Sequence, residues 1–248
     1  MTAALVAIGA LAAACVQATT GIGFALVLSP IAFALLTPAG AIVAVTALGL
    51  ELNLLVLLGE RRRPRVVWGE LRPILLAAIP GSVAGVLLLR ALPKAALQVA
   101  VGVALIAAAT LLLRRTIARG HARPAGGLPG RLAVGFSTGA LGTSTGVSGP
   151  PLALWLARMG LTPAEVRDSL SASFLVLGVI AFATLVPLLG RAHLDAADLG
   201  AGLLCVIGGH AVGSRAFARI DPAWFRPLLV VVIAGAGVAS IVAGASAL

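Results

Sequence analysis

The sequence predicts an all-α polytopic membrane protein with about eight (seven to nine) hydrophobic membrane segments, arranged in two homologous repeats. Three observations support this fold class. Hydrophobic residues make up 60% of the 248 residues and charged residues only 10%, whereas roughly 25% of a soluble domain is charged. Several apolar runs reach about 18 residues, the length that spans a hydrocarbon core of about 30 Å. The basic residues cluster in short connections between these runs, as is typical of cytoplasmic loops.

The apolar segments follow one another along the whole chain. They run approximately over 3–20, 22–36, 39–59, 73–90, 95–113, 132–157, 164–189, 196–214 and 224–245. The first of them lacks the positively charged start of a secretory signal peptide, so we interpret it as a membrane segment. Trp68, Trp155 and Trp224 lie near segment ends, where indole rings favour the membrane–water interface.

The longest polar stretch divides the chain into two similar halves. We predict a first transmembrane repeat over 1–113, a basic cytoplasmic linker over 114–131 and a second transmembrane repeat over 132–248. The halves share several short patterns at offsets of 125 to 128 positions. The matching pairs are Thr20-Gly21 with Thr145-Gly146, Thr37-Pro38 with Thr162-Pro163, and "GSVAGVLLLRALP" (81–93) with "GHAVGSRAFARIDP" (209–222). Such duplication is typical of repeat-built transporters.

The distribution of basic residues bears on how the halves are oriented. If each half crosses the membrane four times, the eighteen basic residues divide eleven to seven between the two faces. If 3–36 and 132–157 each enter the membrane and return to the same face, the halves are inverted. Only Arg90, Lys94 and Arg191 then lie outside. The positive-inside rule favours the inverted arrangement, and the parallel four-plus-four arrangement remains an alternative.

Each half contains a glycine-rich interruption, "TTGIGF" at 19–24 and "GTSTGVSGPP" at 142–151. Non-helical backbone is tolerated at membrane depth only inside protein or beside a watery cavity. Pro150 and Pro151 suit the first turn of a helix, so we expect helices to begin near Pro150 and near Phe24. The N-terminus of a helix has unpaired N–H groups and a partial positive charge, which attract anions.

We therefore predict that the two interruptions form a buried anion site. The candidate substrate-binding residues are Gln17, Thr20, Gly21, Gly23, Ser144, Thr145, Gly146, Ser148, Gly149 and Pro150. The alternative is that these small residues only let helices pack closely. Gln17 could equally make a hydrogen bond that serves packing.

The same residues resemble a known family. "TTGIGFALVLSP", "GTSTGVSGPPLALWL" and "LTPAEVRDSLSASFLVLG" are similar to the sulfite exporter TauE/SafE family of bacterial membrane transporters, and the resemblance spans nearly the whole chain. It implies a multi-pass protein of the cytoplasmic (inner) membrane that is not an enzyme. The expected substrate is a small sulfur-containing or organic anion, such as sulfite, a sulfonate or sulfoacetate.

Two ionisable residues within apolar segments are candidates for proton coupling. Glu51 lies beside Asn53 in the segment 39–59, where a charge is costly unless it is neutralised or paired; pairing with an arginine near a helix end is the alternative. His210 could handle protons or substrate, or simply donate to a backbone carbonyl. We interpret Arg158, Arg167 and Asp168 as an interfacial loop and a helix start, with Thr162 as the N-cap and Glu165 at the third helical position.

Two other functions are considered. "GVSG" (146–149) matches the G-x-S-G of rhomboid-type intramembrane proteases, which would need Ser148 in hydrogen-bond contact with His210. A membrane scaffold without transport is the third possibility. We expect no cofactor, no metal and no nucleic-acid partner. The expected partners are the anion, the lipid bilayer and a coupling ion, with protons the first candidate. The oligomeric state is left open.

Overall fold

The part of the chain that the structure, a computed structural model, describes is mainly α-helical. The described residues are 2–36, 38–59, 63–91, 127–145, 148–189, 196–219 and 221–245, together with positions 99, 102–103, 106, 109–110 and 113. No strand occurs within these ranges, which confirms the all-α prediction. Most of the predicted linker, 114–126, lies outside the described residues.

The described helices follow the predicted order of apolar segments except for 95–113, most of which lies outside the described residues. They are α1 (Thr2–Thr20), α2 (Phe24–Leu35), α3 (Pro38–Leu58), α4 (Trp68–Ala91), α5 (Leu128–Thr145), α6 (Gly149–Ala157), α7 (Pro163–Leu189), α8 (Ala196–Arg219) and α9 (Pro222–Ala245). By length and composition, one stretch among the described residues is long and apolar enough to cross a membrane, Leu199–Arg219 with a mean hydropathy of 1.3. Ala4–Thr20 and Val43–Leu58 are shorter apolar helices. The predicted number of membrane segments therefore stays a prediction.

The chain divides into two compact units, each built from both halves of the sequence. The first unit contains Met1–Val66 and Arg167–Ile220, and the second contains Val67–Val166 and Asp221–Leu248. This division describes compactness in space, whereas the predicted repeats describe duplication in the sequence. The repeat boundaries therefore also stay a prediction.

In the first unit, α1 and α2 form a helical hairpin. A Cβ atom added to Gly9 of α1 would lie 2.8 Å from Ile31 Cδ1 and 3.5 Å from Leu28 Cδ1, so α2 folds back along α1. The hairpin packs with α3 and α8 around one apolar core. The buried core side chains are Val6, Ala10, Ala13, Ala14, Phe24, Leu28, Leu48, Leu52, Val56 and Val206.

Helix α8 approaches α1 through glycine. A Cβ on Gly209 would collide with the carbonyl oxygen of Leu11, and a Cβ on Gly213 would collide with that of Cys15. Both pairs advance by four residues in the same sense, so the two helices run in the same direction. Only glycine permits this backbone approach, which is the role that the Gly-x-x-x-Gly pattern predicts.

The second unit contains an equivalent glycine contact between α4 and α5. Two glycines on each helix face backbone of the other: Gly81 and Gly85 on α4, and Gly135 and Gly139 on α5. A Cβ on Gly81 would collide with the carbonyl oxygen of Phe136, and one on Gly85 with that of Ala140. Thr143 Oγ1 donates a hydrogen bond to the Ser82 carbonyl at 2.8 Å and fixes the same register.

Candidate functional site

The first interruption is a tight glycine turn between α1 and α2. Gly21 has φ of +83° and Gly23 has φ of +120°, values that side chains with a Cβ rarely adopt. The Gly21 N–H donates to the Gln17 carbonyl at 2.7 Å, and α2 begins at Phe24, where the sequence predicts it. Local chemistry thus sets both the end of α1 and the start of α2.

Gln17 connects the two sides of this turn. Its Oε1 accepts the Phe24 N–H at 3.1 Å, so the side chain satisfies a donor at the start of α2. Its Nε2 donates to Asn53 Oδ1 at 2.9 Å, and Asn53 Nδ2 donates to the Gly49 carbonyl at 2.7 Å. Gln17 is buried, as a residue facing a site inside the bundle would be. The Gln17 Oε1 therefore occupies the Phe24 N–H, a donor that could otherwise bind an anion.

The Thr20 hydroxyl also serves the turn. Its Oγ1 lies 2.9 Å from the Val16 carbonyl oxygen and 2.6 Å from the Ile22 carbonyl oxygen, and it accepts the Ile22 N–H at 3.3 Å. The side chain is buried and directed at its own backbone. Thr20 and Gln17 thus have roles in shaping the turn, whether or not they contact a substrate.

The second interruption is described in part. Helix α5 ends at Thr145 and α6 begins at Gly149, with Pro150 and Pro151 in its first turn as the sequence predicts. A Cβ on Gly142 would lie 3.1 Å from Ser148 Cβ, so the start of α6 approaches the last turns of α5. Gly146 and the side chains of Ser144 and Thr145 lie outside the described residues.

The two interruptions belong to different compact units. Gln17, Thr20, Gly21 and Gly23 lie in the first unit, and Ser148, Gly149 and Pro150 lie in the second. Their convergence on one anion therefore stays a prediction.

The two proton-coupling candidates both lie in the first unit. Glu51 lies well inside α3, and its Oε2 is buried and accepts no hydrogen bond from the described residues. His210 is buried on α8, with Nδ1 3.3 Å from Ser214 Oγ one turn further along the helix. Its Nε2 lies close to Gly59, which follows the last residue of α3. No group of His, Cys, Asp and Glu suited to a metal ion occurs within the described ranges.

A buried charged pair beside the first turn is the feature that sequence reasoning missed. Helix α7 begins with the predicted capping box, in which the Thr162 N–H donates to Glu165 Oε2 at 2.8 Å and the Glu165 N–H donates to Thr162 Oγ1 at 3.3 Å. One turn later, Arg167 and Asp168 have no exposed surface. A Cβ on Gly21 would lie 3.0 Å from Arg167 Cα. The sequence pattern around Arg167 and Asp168 predicts an interfacial loop and a helix start, and it gives no sign that the two side chains are buried.

Comparison with known proteins identifies the family that the motifs at the two interruptions resemble. The sulfite exporter TauE/SafE family model matches residues 5–240, which is nearly the whole chain and includes both interruptions. Neither a curated protein nor a solved structure gave a match. The family match confirms the resemblance seen in the sequence. The chain belongs to the sulfite exporter TauE/SafE family of membrane transporters.

Proposed function

We propose that this chain is a secondary transporter that moves a small anion across the bacterial cytoplasmic membrane by alternating access. The substrate class is a sulfur-containing or organic anion of the sulfite, sulfonate or sulfoacetate type. The observation that carries the proposal is the family match over residues 5–240 together with the buried glycine turn at Gly21–Gly23. Gln17 and Thr20 already accept the N–H groups of Phe24 and Ile22, so the proposal takes the anion to bind the remaining N–H groups in the first turn of α2.

The geometry of both interruptions supports the inverted arrangement. Helix α2 folds back along α1, as the contacts of Gly9 require. Helix α6 folds back along α5, since Gly142 lies against Ser148 and a Cβ on Gly130 would lie 2.9 Å from Trp155. Two hairpins of this kind match segments that enter the membrane and return to the same face. On the predicted apolar segments, two such hairpins would leave each half with an odd number of full crossings, and the halves would then have opposite orientations.

The glycine contacts support the duplication itself. The α4–α5 and α1–α8 contacts use residues at equivalent positions of the two halves. In the α4–α5 contact the first half supplies these glycines and the second half the carbonyl groups, and in the α1–α8 contact the second half supplies the glycines and the first half the carbonyl groups. The equivalent positions are Gly81 and Gly209, Gly85 and Gly213, Leu11 and Phe136, and Cys15 and Ala140. The glycine pairs are both 128 positions apart and the carbonyl pairs both 125 apart. This correspondence supports a common origin of the two halves.

In the proposed cycle, the starts of α2 and α6 supply N–H groups to the anion, and rocking of the repeats exposes it to one face and then the other. Glu51 is the proposed proton carrier, because its Oε2 is buried in the apolar helix α3 and accepts no hydrogen bond from the described residues. A proton gradient or the anion's own gradient supplies the energy.

Flux in proteoliposomes tests the proposal. The purified protein would be reconstituted and challenged with sulfite, sulfate, taurine, sulfoacetate and acetate, with and without a pH gradient. We expect saturable uptake of at least one sulfur-containing anion and a dependence on the pH gradient that Glu51→Gln abolishes. Protein-free vesicles are the background control. Absence of saturable flux for every anion, from protein shown to be folded, would contradict the transporter assignment.

A further inference from the structure

Arg167 lies on α7 and is fully buried. Its guanidinium group contacts the C-terminal end of α1. Its Nη1 donates to the Ala18 carbonyl at 2.8 Å, and its guanidinium carbon lies 4.0 Å from the centre of the Phe217 ring on α8. A Cβ on Gly21 would lie 3.0 Å from the Cα of Arg167 and 3.3 Å from its Cγ. A single arginine thus joins α7, α8 and the first glycine turn.

Asp168 holds a balancing charge beside Arg167. Its Oδ1 lies 4.0 Å from Arg167 Nε, and its Oδ2 accepts the backbone N–H of Arg65 at 2.8 Å. Both side chains are excluded from solvent. Burying two charges costs more than their mutual attraction returns unless the geometry is favourable, so a buried pair is weak evidence for a purely stabilising role.

The glycine turn poses an electrostatic problem that Arg167 addresses. Helix α1 ends at Thr20 and α2 begins at Phe24, so the negative end of one helix meets the positive end of the next. Each end has roughly half a unit charge. An anion attracted by the N–H groups of α2 is therefore repelled by the last carbonyl groups of α1. A guanidinium hydrogen-bonded to one of those carbonyls, at Ala18, offsets the repulsion.

We propose that Arg167 sets the anion affinity of the first glycine turn by neutralising the carboxyl end of α1, and that Asp168 moderates this effect. Arg167 acts here as a positioning residue through the electrostatics of the turn. The inference rests on the proposed function, since it takes the transported anion to bind at this turn.

The proposal predicts opposite changes when the two charges are removed. Arg167→Gln removes the positive charge and raises the half-saturation concentration for sulfite by roughly tenfold or more. A factor of about ten is what one charge about 12 Å from a bound anion contributes at an effective dielectric of about 20, and a closer charge contributes more. Asp168→Asn still accepts the Arg65 N–H but removes the negative charge, and lowers the half-saturation concentration. Arg167→Lys retains the charge and stays closer to wild type than Arg167→Gln.

The test is concentration-dependent sulfite uptake in proteoliposomes, with thermal unfolding measured on the same preparations. Arg215→Gln is the matched control, because Arg215 also donates to a backbone carbonyl of its unit, Ala211 at 2.9 Å, but is exposed. It should leave the half-saturation concentration unchanged.

Opposite shifts in Arg167→Gln and Asp168→Asn support the proposal, since a merely structural pair would impair transport in both. An unchanged or raised half-saturation concentration in Asp168→Asn overturns it, even if Arg167→Gln fails to fold. Absence of uptake by the wild-type protein would instead count against the transporter assignment, so the two failures are distinguishable.

Discussion

Replacing Gly139 by alanine tests the close approach of α4 and α5. The added Cβ would collide with the Ala78 carbonyl oxygen and lie 2.8 Å from the Ser82 nitrogen, both of them backbone atoms. Since neither can rotate away, the helices must separate. Overpacking of this kind costs about 1–3 kcal/mol, and the better helix propensity of alanine returns up to about 1 kcal/mol. We expect a net loss of about 1–2 kcal/mol in the free energy of unfolding.

Gly235→Ala in α9 is the matched control, because no described atom lies within 4 Å of the Cβ position at Gly235. It retains the propensity gain of up to about 1 kcal/mol without a collision. Thermal unfolding in detergent, followed by fluorescence of the three tryptophans, measures both variants. At about 2–4 °C per kcal/mol for a chain of this size, Gly139→Ala should melt several degrees below Gly235→Ala. Equal melting temperatures would refute the backbone contact.

Three further outcomes follow from described contacts. Thr162→Ala removes the capping box of α7 and should lower the free energy of unfolding by about 1 kcal/mol, and adding Glu165→Ala should cost little more; additive losses would contradict reciprocal capping. Gln17→Leu leaves the Phe24 N–H and the Asn53 side chain without their partner and should cost about 1–3 kcal/mol. An unchanged melting temperature would show that Gln17 does not hold the turn. Arg131→Gln breaks a 2.7 Å ion pair with the partly exposed Glu70 and should cost about 1 kcal/mol or less, so a larger loss would indicate a buried network.

The turns and helix starts could be predicted from the sequence because their causes are local. Glycine permits the positive φ at Gly21 and Gly23, and Pro150 favours the first turn of a helix. The capping residues Thr162 and Glu165 are likewise three positions apart. Each of these features is decided within a few residues and needs no knowledge of the rest of the chain.

The burial of Arg167 could not be predicted in the same way. Its hydrogen-bond partner Ala18 is 149 positions away, and the stacked ring of Phe217 lies on another helix. Read alone, the segment around Arg167 and Asp168 has the charge pattern of an interfacial helix start. The backbone partners of Gly81 and Gly209 could not be predicted from the sequence either. A Gly-x-x-x-Gly pattern predicts close packing of helices but does not identify the partner helix.

The central claim is that both glycine interruptions form the anion site of a transporter. The most direct measurement is sulfite uptake by Gly21→Leu and Gly146→Leu in proteoliposomes, beside Gly200→Leu, whose Cβ position in α8 has no described atom within 4 Å. We predict that Gly200→Leu transports like wild type and that both interruption variants insert into the membrane but do not transport. Normal uptake by either interruption variant would contradict the claim.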